Sequence, residues 1–295
     1  MFPSWEWTVL DLPPRHFSWR VRGNPLYWSM VERDTLEDAY DLLLVTSMVD
    51  LATLRGLVPA LSRLHTVVYF HENQFAFPVS EHQHPSIEPQ MVNLYSALCA
   101  DRIAFNSHYN RHSFLEGVSA LMARLPDHVP EGIVAQLEAR SEVLSVPLFA
   151  EKLEQAKAPL SNVQSVWNDA VPFAHRPLRI LWAARWEYDK GPEQLLAILR
   201  ELDARNLDYE FCLLGQSFRN SPSEFAQIEK EFRHRLVQFG YAQSRAEYLL
   251  WLKAADVVLS TALHEFQGLA ILEAIAAGCT PVLPDRLAYP ELVDR

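Results

Sequence analysis

Short apolar runs alternate with longer amphipathic segments along most of the chain, and this alternation constrains the fold more than any other feature. The predicted strands are residues 40–47, 66–70, 102–106, 141–149, 178–185, 208–215, 257–261 and 280–284. The predicted helices are residues 51–64, 90–100, 107–125, 191–205, 221–239, 244–256 and 268–278. Because strands that alternate with helices form parallel sheets covered by helices, the pattern predicts an α/β protein.

One polar segment, residues 150–177, contains three prolines and interrupts the alternation. The length of 295 residues corresponds to about two domains. We therefore expect a domain over residues 1–149, a linker over 150–177 and a second domain over 178–295. Two doubly wound, Rossmann-like domains joined by one linker are expected to face each other across a cleft, with ligands bound at the carboxyl ends of the strands.

The net charge is −11, from 26 basic and 37 acidic residues. This charge argues against general binding of nucleic acid, which needs a positive field, but it allows a local basic patch. The three cysteines form no CxxC pair, which argues against a zinc ribbon or a disulfide framework and predicts a cytoplasmic protein. No apolar run approaches the length of a membrane span, so we expect no membrane contact.

Two cations follow the first predicted strand of the second half. Arg185 and Lys190 flank a tight turn before a helix that begins with Gly191 and Pro192. Proline suits the first turn of a helix, and two cations at a strand–helix junction suit a diphosphate. The alternative is a solvated loop with incidental charges.

Two glutamates, Glu265 and Glu273, follow the strand predicted over 257–261. Glu265 lies in the loop before a helix, where Gly268 permits close backbone approach and free N–H groups can hold an anion. Glu273 lies inside that helix among apolar residues, and a carboxylate there needs a partner, which the hydroxyls of a ribose could supply. The alternative for Glu273 is an ordinary surface position.

The order and spacing of these motifs resemble the second domain of the retaining glycosyltransferases of family 4, which have the GT-B fold. The resemblance is carried by ARWEYDKG, CLLGQ, VQFGY, ADVVLST and HEFQGLAILEAIAAGCTPV. It implies a nucleotide-sugar donor whose diphosphate is held by Arg185 and Lys190, whose ribose is bound by Glu273 and whose base lies beside Gly240. It also implies that Glu265 holds the donor sugar with the backbone after it, namely Phe266, Gln267, Gly268 and Leu269. The sequence EFQG departs from the commoner EGFG.

The first half resembles the tRNA-queuosine α-mannosyltransferase family, which moves mannose from GDP-mannose to the cyclopentenediol of queuosine in tRNA. The resemblance is carried by HFSWRVRGNPLYWS, DLLLVTSMVDLATLRGLVPAL, VVYFHENQFAFPV, DRIAFNSHYNRHSFL and LPDHVPEG. It implies that His71, directly after a strand, faces the donor sugar and acts in catalysis with Glu265. Asn73 is a predicted acceptor contact. Family members begin with a further strand, loop and helix, so we expect the N-terminal domain to lack its first βα unit.

Residues 12–30 combine arginines with aromatic side chains and contain no acid. Basic and aromatic residues together suit single-stranded RNA, such as an anticodon loop, because unpaired bases stack on aromatic rings. The predicted acceptor contacts in this segment are Arg15, Trp19, Arg20 and Arg22. The alternative is a packed loop whose aromatic residues belong to the core.

Two pairs of histidines, His82 with His84 and His108 with His112, have the spacing of metal ligands. No cysteine or paired carboxylate accompanies them at a suitable spacing. We therefore expect no metal and no cofactor, with the diphosphate held by cations and helix ends.

These observations together predict a two-domain GT-B mannosyltransferase that binds a nucleotide sugar and tRNA and has no stable protein partner. Three alternatives stay open. The chain could be a family 4 enzyme for a small-molecule or lipid-linked glycan acceptor, a truncated inactive relative that only binds nucleotide sugar or RNA, or a GT-B-shaped epimerase of sugar nucleotides.

Overall fold

The computed structural model describes residues 4–13, 17–77, 86–148, 167, 173–218 and 220–293. The chain divides into two compact units, Met1–Ser145 and Val146–Arg295. Most of the predicted linker lies outside the described residues, so its boundaries stay a prediction. Within the described ranges, no helix is both long enough and apolar enough to cross a membrane.

The first unit contains a parallel sheet of four strands that lie side by side in chain order. The strands are β1 (Leu42–Thr46), β2 (His65–Phe70), β3 (Arg102–Phe105) and β4 (Ser141–Val143). The apolar side chains of Val68, Phe70, Ile103 and Phe105 on the two central strands are fully buried. Burial alternates along β2, whereas Ile103, Ala104 and Phe105 of β3 are all buried, which is typical of a parallel strand covered by helices on both faces.

Six helices of the described residues belong to this unit. They are α1 (Phe17–Val31), α2 (Arg33–Leu36), α3 (Leu51–Leu57), α4 (Glu88–Cys99), α5 (His108–Met122) and α6 (Ile133–Ala139). Side chains define where two of them begin, because Asp50 accepts a hydrogen bond from the N–H of Thr53 and Ser107 accepts one from the N–H of Asn110.

The sequence pattern misplaces several elements of this unit. It predicts neither α1 nor α6, and α1 contains both Gly23 and Pro25, which disfavour a helix interior. The predicted helix over 51–64 is α3 followed by a short 3₁₀ helix that begins at Pro59, because proline cannot continue the α-helix. The predicted strand over 141–149 ends at Val143.

The second unit contains a parallel sheet of five strands in the order β7-β6-β5-β8-β9. The strands are β5 (Leu178–Ala183), β6 (Tyr209–Leu214), β7 (Leu236–Gly240), β8 (Val257–Leu259) and β9 (Thr280–Val282). The chain runs outward from β5 to β7 on one side and from β8 to β9 on the other. The strand order therefore reverses between β5 and β8, and sheets of this kind bind ligands at the carboxyl ends of the strands beside the reversal.

The α-helices described in this unit are α7 (Pro192–Ala204), α8 (Ser223–Glu231), α9 (Arg245–Ala254) and α10 (Leu269–Ala277). The predicted helix over 221–239 is wrong in its second half, where the apolar run LVQFG forms β7 and pairs with β6. Phe225 and Ile228 on α8 and Phe232 directly after it are all buried, and the backbone then turns into the strand.

Candidate active site

Lys190 follows β5 at the reversal of the strand order, at the end of a short 3₁₀ helix (Tyr188–Lys190). Its Nζ lies 3.0 Å from the carbonyl oxygen of His264, 3.1 Å from Asp189 Oδ2 and 3.4 Å from Glu265 Oε2. The side chain is only 11% exposed. This ammonium group therefore joins the loop after β5 to the loop after β8.

The two loops approach closely because a glycine follows Lys190. Gly191 has a φ of 66°, and a Cβ atom there would lie 2.0 Å from the carbonyl oxygen of Thr261. Thr261 Oγ1 in turn donates a hydrogen bond to the carbonyl oxygen of Lys190 at 2.8 Å. Both the backbone conformation and the close approach thus require glycine at this position.

The Glu265 carboxylate is fixed by the backbone of its own loop. Its Oε1 accepts hydrogen bonds from the N–H groups of Phe266 at 3.1 Å and Gln267 at 3.4 Å. Burial raises the pKa of Glu265, but the Lys190 charge and the backbone N–H groups lower it more, so the net shift is downward. Glu265 is therefore ionised at neutral pH and can accept hydrogen bonds from hydroxyl groups.

The loop after β8 turns into α10 at Gly268, whose φ is 74°. A small recess of about 30 Å³ beside this turn is lined in part by Lys190, Glu265, Gly268, Ser260 and Tyr289. The unpaired N–H groups at the start of α10 favour an anion nearby. Phe266 is buried and Leu269 is 41% exposed, so a donor contact of Phe266 would use its backbone.

The side chain of Gln267 is already bound within this unit. Its Nε2 donates to the carbonyl oxygen of Val146 at 2.9 Å, and its Oε1 accepts from the N–H of Val146 at 3.3 Å. The residue is 4% exposed. This pairing gives a structural role to the side chain of the glutamine that stands where the commoner EGFG has phenylalanine, while the Gln267 N–H holds Glu265.

Arg185 also follows β5, but in a different environment from Lys190. Its side chain is 57% exposed, and its Nη1 lies 3.1 Å from Glu187 Oε2. The structure thus places both predicted diphosphate contacts after the same strand, one solvated and the other enclosed by carboxylates.

The Glu273 side chain lies on α10, is 18% exposed and is bound by two residues of α9. Arg245 donates to both carboxylate oxygens, and Tyr248 Oη donates to Oε2 at 2.9 Å. The partner that a carboxylate in an apolar helix requires is thus provided by protein side chains. Gly240, the predicted neighbour of the base, ends β7 with a φ of 120° and accepts the N–H of Gly215 at 3.0 Å.

The loop after β2 places His71 and Asn73 in different environments. His71 is exposed, and its carbonyl oxygen accepts a hydrogen bond from Asn106 Nδ2 at 2.8 Å. Asn73 is fully buried, with Nδ2 donating to Asn110 Oδ1 at 2.8 Å and Oδ1 accepting two backbone N–H groups of its own loop at 3.0 Å. The Asn73 side chain anchors the loop, and the acceptor contact predicted for it stays a prediction.

Sequence reasoning missed the buried amide network to which Asn73 belongs. The three members, none more than 4% exposed, are Asn73, Asn106 and Asn110. Asn110 Nδ2 donates to the carbonyl oxygen of Phe70 at 2.9 Å, where β2 ends. The sequence signal that could have indicated this network is the recurrence of asparagine just after the strands. There its amide can form hydrogen bonds with backbone groups that have no partner in the sheet.

Residues 17–30 of the segment predicted to bind RNA lie in α1, which has one buried and one exposed side. Trp28 belongs to the core, whereas Trp19 is 58% exposed. Arg20 is half-buried and Arg22 is paired with two carboxylates. Arg15 lies outside the described residues.

The predicted absence of a metal stays a prediction. The described part of the chain holds no cluster of three or more His, Cys, Asp or Glu side chains suited to a metal. His112 Nε2 lies 3.0 Å from Glu116 Oε1 on the same helix. His82 and His84 lie outside the described residues.

Comparison with protein families identifies both halves of the chain. The family model described as tRNA-queuosine alpha-mannosyltransferase N-terminal matches residues 1–148, and the model described as Glycosyl transferases group 1 matches residues 164–295. The tRNA-queuosine alpha-mannosyltransferase of Drosophila melanogaster is 35% identical over 285 residues, which cover 96% of this chain and 73% of that protein. The GDP-mannose:cellobiosyl-diphosphopolyprenol alpha-mannosyltransferase of Xanthomonas oryzae pv. oryzae (strain PXO99A) is 26% identical over 141 residues, 47% of this chain and 37% of that protein.

Solved structures share the fold at low sequence identity. The apo structure of OtsA has a TM-score of 0.67 at 18% identity, over 96% of this chain and 66% of that chain. HepE of Anabaena in complex with UDP has a TM-score of 0.59 at 16% identity, over 93% and 65%. This chain thus spans about two thirds of the length of these structures. The likeness shows the GT-B fold, and the family matches together with the 35% identity to the Drosophila protein show that the chain belongs to the tRNA-queuosine α-mannosyltransferase family of glycosyltransferases.

Proposed function

We propose that this chain transfers mannose from GDP-mannose to the cyclopentenediol of queuosine in tRNA, in the cytoplasm and with retention of the anomeric configuration. Family membership supports the tRNA acceptor, and the name of the Xanthomonas relative supports GDP-mannose as donor. The observation that carries the proposal is the enclosed Lys190 ammonium, 3.4 Å from Glu265 at the reversal of the strand order. Nucleotides bind at this place in doubly wound sheets.

The donor diphosphate contacts Lys190, Arg185 and the N–H groups at the start of α10 in this proposal. Lys190 is shared by Asp189 and Glu265, so these three side chains together carry a net charge of −1. A second cation is therefore needed beside the phosphates. Arg185 provides it, because its exposed guanidinium can exchange the Glu187 carboxylate for a phosphate oxygen.

Glu265 orients the sugar by accepting hydrogen bonds from its hydroxyls. The acceptor hydroxyl then attacks the anomeric carbon from the face on which GDP leaves. The new carbon–oxygen bond forms as the bond to the phosphate oxygen breaks, and a phosphate oxygen takes the proton. The protein contributes positioning and charge stabilisation and requires no metal or cofactor for this step. His71 stays a predicted catalytic residue, since its imidazole is exposed directly after β2.

The acceptor tRNA contacts α1 in this proposal. The ring of Trp19 lies against Gly23 of the same helix, where a Cβ atom would meet the ring at 2.7 Å. Trp19 is 58% exposed, which suits stacking of its ring on an unpaired base. Arg20 and Arg22, which follow Trp19 in the same helix, contact phosphates in this proposal.

A glycan acceptor is the second candidate. The net charge of −11 and the pairing of Arg22 with Asp50 and Glu88 weaken the attraction of this surface for RNA. The Xanthomonas relative, whose name specifies a lipid-linked cellobiosyl acceptor, also supports this alternative.

A radiolabel transfer assay separates the two candidates. GDP-mannose and UDP-sugars would be offered with tRNA that contains queuosine, with the same tRNA lacking it and with a lipid-linked disaccharide. The proposal requires transfer from GDP-mannose to queuosine-containing tRNA alone. Transfer to the disaccharide would establish the second candidate, and failure with every acceptor would contradict both.

A further inference from the structure

The carboxylate of Glu273 is held by a pair of side chains on the neighbouring helix. Arg245 donates through Nη2 to Oε1 and through Nη1 to Oε2 at 3.2 Å. Tyr248 Oη donates to Oε2 at 2.9 Å. The Arg245 guanidinium also lies 4.9 Å from the centre of the Tyr248 ring, so the three side chains form one connected group.

The hydrogen-bonding capacity of this carboxylate is almost filled. A carboxylate accepts about four hydrogen bonds, two at each oxygen. Arg245 and Tyr248 together occupy both positions at Oε2, and Arg245 occupies one at Oε1. One position at Oε1 is left for a ligand, and the 18% exposure of the side chain leaves Glu273 accessible from outside.

We infer that Arg245 and Tyr248 are positioning residues, which orient Glu273 so that it accepts a hydrogen bond from one ribose hydroxyl of the donor nucleotide. The inference rests on the proposed donor site. Burial and the adjacent Glu273 charge raise the pKa of Tyr248, so its hydroxyl keeps its proton and donates throughout the physiological pH range. Both side chains act through Glu273 and do not themselves contact the donor.

Calorimetry with GDP, 2′-deoxy-GDP and 3′-deoxy-GDP tests this inference. Wild-type protein should bind one deoxy analogue about 10- to 100-fold more weakly than GDP, as expected when a hydrogen bond to a charged group is lost. The other analogue should bind within about threefold of GDP, because Glu273 has one open position. Tyr248→Phe and Arg245→Gln should both weaken GDP binding. In each variant the affinities for GDP and for the weaker-binding deoxy analogue should differ by less than about threefold.

Arg200→Gln is the matched control. Arg200 donates to both oxygens of Glu231 on α8 and is 53% exposed, close to the 52% of Arg245. Its removal breaks an equivalent pair outside the proposed site, so discrimination between GDP and the analogues should stay at the wild-type value.

The outcomes distinguish this inference from the donor proposal. If wild-type protein binds no GDP, the donor proposal fails and the inference fails with it. If GDP binds and both variants keep the discrimination, the donor site stands and the positioning role is refuted. An equal loss of affinity for GDP and both analogues would mean a merely structural role and would also refute it. If Arg245→Gln does not fold, Tyr248→Phe, which removes one hydroxyl, decides the question alone.

Discussion

Replacing Lys190 by methionine tests whether its ammonium group holds the two loops of the candidate site together. The change keeps the length of the side chain and leaves Asp189 and Glu265 without the cation that lies 3.1 and 3.4 Å from them. Their side chains are 4% and 26% exposed. Removing one partner of a buried ion pair costs about 3–5 kcal/mol, and the partial exposure of Glu265 favours the lower end, about 3 kcal/mol.

The loss of stability should depend on pH, with a sign that follows from the pKa of Glu265. Lys190 helps to hold this pKa below its ordinary value. The carboxylate therefore contributes stability above the pKa of the unfolded state, and this contribution is lost as the pH falls through the folded pKa. Without Lys190, burial favours the protonated form of Glu265. The deficit should be largest near about pH 7 and shrink toward about pH 5.

Urea unfolding of the wild type and Lys190→Met at both pH values measures this difference. Lys230→Met, which removes an exposed lysine on α8, is the control and should change the free energy of unfolding by less than about 0.5 kcal/mol. A deficit below about 1 kcal/mol for Lys190→Met, or one that is equal at both pH values, would refute the argument.

Four further predictions concern the proposed substrates. Arg185→Ala should lower GDP affinity about tenfold in calorimetry; unchanged affinity would exclude Arg185 from the diphosphate site. Glu187→Gln should raise GDP affinity by up to about fivefold, because it releases Arg185 from an exposed ion pair; weaker binding would contradict this. Turnover should persist in excess EDTA, since Lys190 and Arg185 supply the positive charge, and complete loss restored by manganese would overturn the metal-free proposal. Trp19→Ala should raise the KM for tRNA about 5- to 100-fold while GDP affinity stays the same; a normal KM would exclude stacking.

The fold can be predicted where composition and periodicity agree. β5 and α7 are examples, because a run of apolar residues is followed by a regular amphipathic segment that begins at Pro192. α1 cannot be predicted in this way, since Gly23 and Pro25 lie in it and packing outweighs their low propensity. β7 is also ambiguous from sequence, because its apolar run follows a helix directly and only pairing with β6 decides its conformation.

The position of the candidate site can be predicted more fully than its bonding. Parallel strands end at the same edge of a sheet, so Lys190 and Glu265 are expected to be close. The sequence does not reveal which neighbours fill the hydrogen-bonding capacity of each polar side chain. Asn73 illustrates this, because its partner Asn110 is 37 residues away in the chain, and only the folded arrangement shows that both side-chain polar atoms of Asn73 already have partners inside the protein.

The charges of the candidate site explain why its two cations should not contribute equally. Arg185 and Lys190 are accompanied by three carboxylates, those of Glu187, Asp189 and Glu265. A diphosphate therefore cannot be attracted by net charge and must exchange places with these carboxylates. At Arg185, which is 57% exposed, water weakens both the ion pair with Glu187 that is broken and the ion pair with the phosphate that forms. At Lys190, which is 11% exposed, the lower dielectric constant strengthens each interaction. The motif alone presents two equivalent cations, whereas their different exposure predicts that in the proposed donor site the loss of Lys190 changes GDP affinity more than the loss of Arg185.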